Sequence, residues 1–175
     1  MPARTIDLAA SSITIRTRAK GLLSKLAHDL EIQVEHFDGS VELDGDAWRA
    51  ELAIPVSGLR VVGALKNDRV DHSVLSARDV ADIARKIQRE VLLGREIRVT
   101  VEGANRVRGR ATVVAPGGRQ TIDVALDSRD EAGFIVASGL TALSLSALGV
   151  KEIKGSLGAF KVDDRVEVAF CVRVS

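Results

Sequence analysis

Long tracts of the chain alternate apolar and polar residues with period two, the pattern of strands that bury one face. Ser12–Arg18 sets Ile13, Ile15 and Thr17 against polar positions. Leu30, Ile32 and Val34 then alternate with Glu31, Gln33 and Glu35 in a second strand reaching about Phe37. Asp38-Gly39 reads as a turn, with Val41 and Leu43 continuing the alternation beyond it as a hairpin, and Asp44-Gly45-Asp46 as the next turn. Trp48, Ala50, Leu52, Ile54 and Val56 share one face of a further strand, with Pro55 placed at an end or edge because it lacks an amide donor.

The alternation stops at Gly58–Arg78, which is expected as a long loop excursion, and at Leu22–Ala27, expected as a helical turn or short helix. Between them and the second half of the chain lies one helix, Asp79–Leu93, capped by Ser76 or Asp79 and ended by Gly94. Val80, Ile83, Ile87 and Val91 form its apolar stripe, read as packing against the sheet. Strands then follow in a row: Ile97, Val99 and Val101; Val107–Ala115; Ile122, Val124 and Leu126; Phe134–Leu145; and Asp164–Val174 with Val166, Val168, Phe170, Val172 and Val174 on one side. Glu102–Asn105, Pro116–Arg119 and Asp130–Gly133 are the turns, and the glycine-containing Leu148–Phe160 is expected as a loop or short helical turn.

About eight or nine strands joined by short turns, with one interrupting helix, predict an all-β fold. The expected form is a closed up-and-down antiparallel barrel of about eight strands, lipocalin-like, with the helix packed against it, because closure removes exposed edges. The chain of 175 residues is expected to be a single domain, 1–175. Such a barrel is either packed shut or holds one small ligand. Periodicity alone leaves both readings open.

Composition narrows the partners. A net charge of +1 without a basic face argues against nucleic acid. Arg106, Arg108 and Arg110 alternate with Val107 and Gly109 and are read as the solvated side of a strand. Aromatics make up 3% of the chain, so an apolar site would be lined by aliphatic side chains. The N-terminal stretch holds no apolar run long enough for a signal peptide or a membrane span, which sets the expectation of a cytoplasmic protein without an integral membrane span. The single Cys171 cannot form an internal disulfide and reads as a buried small hydrophobe.

Two polar clusters are candidates for chemistry. His28–Asp29 has the residue types of an oriented general base, but neighbours on a strand face opposite ways. The bland reading gives Asp29 to local backbone amides and His28 to one end of the barrel, and both stay candidates for contact with a ligand head group. Asp71–His72–Ser73 contains the residue types of a hydrolase triad, which is assembled in space and not by adjacency. His28, His36 and His72 show no metal-site spacing, and the glycines at 103–109 and 155–158 lack a phosphate-loop context, so no metal and no cofactor are expected.

Four segments carry a family resemblance: LLSKLAHDLEIQVEHFDGSVELDG, AELAIPVSGLRV, DVADIARKIQREVLLGREIRV and DRVEVAFCVRV. Their order and spacing resemble the YceI-like, polyisoprenoid-binding barrel family over nearly the whole chain, and AHDL looks like a cytoplasmic branch without a signal peptide. The chain departs from the family where many members carry an Arg-Ser-Asp-Phe-Gly-like segment; here SLSALGVKEI stands, keeping only Leu148-Gly149-Val150. Aromatics that line the pocket in many relatives are also sparse. The resemblance implies an apolar tunnel for an isoprenoid or other lipid tail.

The leading expectation is therefore a non-enzymatic carrier or sequestering protein. Its expected lumen residues are Ile32, Val34, Trp48, Leu52, Ile54, Val99, Val101, Val124, Leu126, Val136, Val168 and Phe170. The alternatives are a small hydrolase or isomerase using His28, Asp29 and His72, and a filled-core interaction barrel that oligomerises, in the simplest case as a homodimer.

Overall fold

The computed structural model describes residues 3–21, 28–154 and 161–175. The expected helical turn at Leu22–Ala27 and residues 155–160 of the expected loop to Phe160 lie outside the described residues. Among the described residues the chain is mostly β with one α-helix, and every strand pairing is antiparallel.

One sheet has six strands in the order β1 (Ala3–Thr5), β5 (Asp38–Asp44), β6 (Ala47–Ile54), β9 (Ile97–Asn105), β10 (Arg108–Ala115), β11 (Gly118–Ala125). The other has seven: β12 (Asp127–Glu131), β13 (Phe134–Ser144), β15 (Arg165–Val174), β2 (Ser12–Thr17), β4 (Asp29–Val34), β7 (Leu59–Lys66), β8 (Arg69–Asp71). A two-stranded ribbon pairs β3 (Ala19–Lys20) with β14 (Lys161–Val162).

Contrary to the expected closed barrel, among the described residues neither large sheet closes on itself. The sheets are joined at their margins instead. Ile6 bridges Val174 just beyond β1, and Leu126, the one residue between β11 and β12, donates its amide to the Val107 carbonyl at 2.8 Å. Near the β1 and β8 edges, β4 and β6 run on, through Glu35–Phe37 and Pro55–Gly58, into β5 and β7 of the other sheet. The Glu35 amide bonds the Gly58 carbonyl at 2.7 Å at this corner. Closure depends on which strand edges meet, which side-chain alternation does not encode.

The corner also relocates the turn expected at Asp38-Gly39. Both residues already belong to β5, and the chain changes direction before them, so β4 and β5 lie in different sheets instead of forming a hairpin. The excursion expected at Gly58–Arg78 begins instead with a hairpin. Asn67 and Asp68 both hold positive φ, 52° and 60°, the geometry of a two-residue turn whose twist matches its strands, and Lys66 pairs with Arg69 across it.

The helix α1 (Ala77–Lys86) starts with a capping box in which Ser76 and Asp79 satisfy each other's backbone amides. Its last turn widens into a π-helical segment, Ile87–Val91, where the Leu92 amide reaches the Ile87 carbonyl at 2.9 Å. Leu93 and Gly94 then take positive φ, 52° and 68°, and end it. No helix among the described residues is long and apolar enough to cross a membrane. The inner faces of both sheets meet in a cluster around Ile13, Val34, Phe37, Val41, Ile54 and Val174.

Candidate functional site

The two sheets enclose a cavity of about 740 Å³, which Ile13, Val34, Val41, Ile54 and Val174 of that cluster also line. This lies within the range of about 300–1,000 Å³ usual for ligand pockets. A core packed shut at ordinary protein density would leave few voids larger than a water molecule. The walls are overwhelmingly Ile, Val, Leu and Ala from the inward phase of each strand.

The expected wall positions are placed as follows. Ile32 and Val34 enter from β4, Trp48, Leu52 and Ile54 from β6, Val99 and Val101 from β9, Val124 from β11, and Val168 and Phe170 from β15. Leu126 enters from the β11–β12 join. Val136 does not line the cavity. On β13 the inward phase is Ile135, Ala137, Thr141 and Leu143, whereas Val136 is buried on the outer face between its strand partners Arg129 and Arg173. Ile135 and Val136 are adjacent apolar residues, so local alternation cannot choose between them. The odd phase of Leu143 and Leu145 further along the strand is the signal that does.

The cavity has two unlike ends. Strand β9 runs between them, and its nine residues cover about 26 Å at roughly 3.3 Å per step. At the Asn105 end, Trp48 donates its indole N–H to the Asn105 carbonyl at 2.8 Å. A Cβ on Gly103 would sit 2.6 Å from Trp48 Cε2, and one on Gly109 would sit 2.9 Å from both Cζ2 and Cη2. The ring is therefore seated between two glycines that only a bare backbone lets approach. Arg106 also borders this end, bonded to both carboxylate oxygens of Asp130 at 3.2 Å each, and is not simply solvated as the sequence pattern suggests.

At the Ile97 end, Ile83, Ile87, Val91 and Leu92 of the helical segment and Leu148, Val150 and Ile153 of the segment after β13 complete the wall. Here α1 leaves the β8 edge of one sheet, packs on β7, and delivers the chain to β9 of the other. Sequence reasoning placed Ile83, Ile87 and Val91 on an inward stripe but missed Leu92, Lys86 and Lys154. The two lysines line the cavity with aliphatic stems while their heads pair outside, an arrangement that polarity patterns hide.

His28 borders the cavity at the helix end; Asp29 does not. The Asp29 carboxylate accepts from the Ala19 amide at 2.8 Å and from Arg18 at 3.1 Å, so it ties β4 to the β2–β3 segment. Asp29 and then Asp68 hold the Arg18 guanidinium above its ordinary pKa by hydrogen bonding. Asp71 accepts from both the amide of Ser73, at 3.0 Å, and its hydroxyl, at 2.6 Å, which lowers its pKa and fixes a local turn. His72 borders a separate shallow concavity with Lys66, Asn67, Arg69, Val70 and Asp71, so the structure does not put it in the cavity wall with His28. Among the described residues no group of three or more His, Cys, Asp or Glu side chains is arranged to hold a metal ion.

No family model matches the chain, and no curated protein matches it. Solved structures do. The crystal structure of Burkholderia cenocepacia BcnA superposes with a TM-score of 0.67 at 14% identity, over 97% of this chain and 99% of that one. At that identity the likeness is one of fold: the mostly antiparallel β architecture, nearly end to end.

Proposed function

We propose that this chain is a YceI-like carrier in the cytoplasm that binds, transports or sequesters a long apolar molecule, an isoprenoid or other lipid tail, between its two sheets. The observation that carries the reading is the cavity of about 740 Å³ between aliphatic walls. A space of that size lined by such side chains offers water few hydrogen bonds, whereas a hydrocarbon chain gains about 0.8 kcal/mol per buried CH₂. The elongated span from Trp48 to the helix suits a chain better than a compact ring system. The order of sequence segments that resembles the YceI-like family points the same way.

Organic extraction of the purified protein followed by mass spectrometry tests this reading. Recovery of a lipid in near-stoichiometric amount is the expected result. Extracts without lipid, together with no uptake of farnesol or a longer prenol by the delipidated protein, contradict it.

A further inference from the structure

Three observations concern the charged groups around the cavity. First, Lys86, Lys154 and Arg106 are the charged side chains in its wall, with His28 beside them, and no Asp or Glu is among the described lining residues. A wall drawn evenly from this chain, which has 25 Lys and Arg against 24 Asp and Glu, would include both signs.

Second, His28, Lys86 and Lys154 come from three separate segments that converge on the helix end. His28 precedes Asp29, whose carboxylate takes the Ala19 amide; Arg18 accepts from the Asp163 amide at 2.8 Å; and Val162 donates to Ile153 at 2.9 Å. Those bonds draw residues 18–20, 28–29, 153–154 and 161–163 together. Helix α1 joins them across the cavity, where Ile83, Lys86 and Ile87 line the same space as His28.

Third, Lys154 pairs with Lys161 and Lys161 with Lys20, so three lysines stand in one cross-strand row. Like charges directly opposite one another are destabilising. Among the described residues, Glu152 and Asp163 form ion pairs with the row, Glu152 at 2.7 Å from Lys161 and 3.3 Å from Lys154, and Asp163 at 4.0 Å from Lys20. These three ammonium groups thus pair with two carboxylates, and Lys154 of the row lines the apolar cavity.

Resting on the carrier reading above, we propose that the ligand is an amphiphile with an anionic head, a carboxylate or a phosphate ester, seated at the helix end by His28, Lys86 and Lys154 with its tail directed toward Trp48. Lys86 pairs with Glu90 at 2.9 Å and Lys154 with Glu152, both on the surface. Such pairs contribute little, so exchanging a carboxylate partner for a ligand oxygen costs little. Arg106, at the other end, is engaged by both oxygens of Asp130 and takes no part.

The test uses three probes with one tail: oleate, oleyl phosphate and oleyl alcohol, titrated into delipidated protein and followed by the fluorescence of Trp48, the single tryptophan, which borders the cavity. The expected result is that one or both anionic probes bind about tenfold more tightly than the alcohol at low ionic strength, with the advantage shrinking as salt rises. In the K86Q/K154Q double variant the advantage falls to about twofold or less, K86R/K154R restores it, and R106Q leaves it unchanged. Circular dichroism of each variant verifies folding. If all three probes bind equally, or if R106Q alone abolishes the advantage, the head-group assignment is overturned while the apolar carrier stands. If none of the three binds, the carrier reading itself falls.

Discussion

The two ends of the cavity are built on opposite principles. At the hairpin end the stop is a large ring, Trp48, hydrogen-bonded through its indole and pressed between the bare backbones of Gly103 and Gly109 on adjacent strands of a continuous sheet. At the helix end the wall is a short helix in which no residue is buried, a π-helical turn, and the segment that follows β13. The first is held by ladder bonds and close packing, the second by a capping box, side-chain contacts and surface ion pairs. Under the carrier reading proposed above, the first end sets how deep a chain reaches and the second is where it enters. Low local stability is expected where few apolar groups are buried.

The sharpest way to break this comparison is to disturb the Trp48 seat. Gly109→Ala adds a Cβ against Trp48 and 3.1 Å from Val101 Cγ1, an overpacking expected to cost about 2 kcal/mol in denaturant unfolding. Most of that cost should vanish when Trp48 is already alanine, because the ring is the obstacle. An undiminished cost in the double variant would mean that the ring is not clamped. Trp48→Ala alone should also shift selectivity toward tails several carbons longer, measured by competition between prenols of graded length. Unchanged selectivity would remove Trp48 as the depth stop.

A smaller effect is expected at the helix. Ser76→Ala deletes the side-chain half of the capping box and should cost about 1 kcal/mol, expressed mainly as faster amide exchange across α1. Amides of β6, β9 and β15 should remain protected. Equal loosening of both ends would contradict the division between a rigid stop and a yielding entrance.

The smallest effect is acid sensitivity confined to the helix end. Asp79 and Asp164 are held below the ordinary carboxylate range by hydroxyl and amide donors, Asp79 by Ser76 and Asp164 by Ser144 and Ser146. A carboxylate whose folded pKa is lower than its unfolded one contributes stability that is complete above the unfolded value, near pH 4, and is lost as pH falls toward the folded value. Exchange of α1 and of the Ser144–Ala147 turn should therefore accelerate below about pH 4, and Asp79→Asn with Asp164→Asn should flatten that dependence. Acceleration of equal size in β6 and β9 would assign the effect to the whole fold.

What the sequence makes legible follows from what side-chain order encodes. The inward phase of β4, β6, β9 and β15 is written in clean alternation, so the cavity wall at Ile32, Leu52, Val99 and Val168 could be assigned without a structure. At Val136 the expectation fails, because two apolar residues stand side by side where β13 begins and the deciding phase lies eight residues away. The corner at Glu35–Phe37 and the open margins of the sheets depend on edge contacts between strands far apart in the chain, which periodicity does not record. The Asn67-Asp68 hairpin was hidden among charged neighbours, although its residue types tolerate positive φ. Lys86, Lys154 and Arg106 are not legible as wall residues because a charged head masks an aliphatic stem, and the pattern reads Arg106 as solvated.

The central claim is that the space between the sheets is made for a chain-like guest lying from the helix to Trp48. A crystal structure of the protein as purified, without added lipid, tests it most directly. The account predicts continuous tubular electron density along the wall of Ile32, Leu52, Val99 and Val168, ending against the Trp48 ring. An interior collapsed onto its own side chains, or one holding only discrete waters, would contradict it.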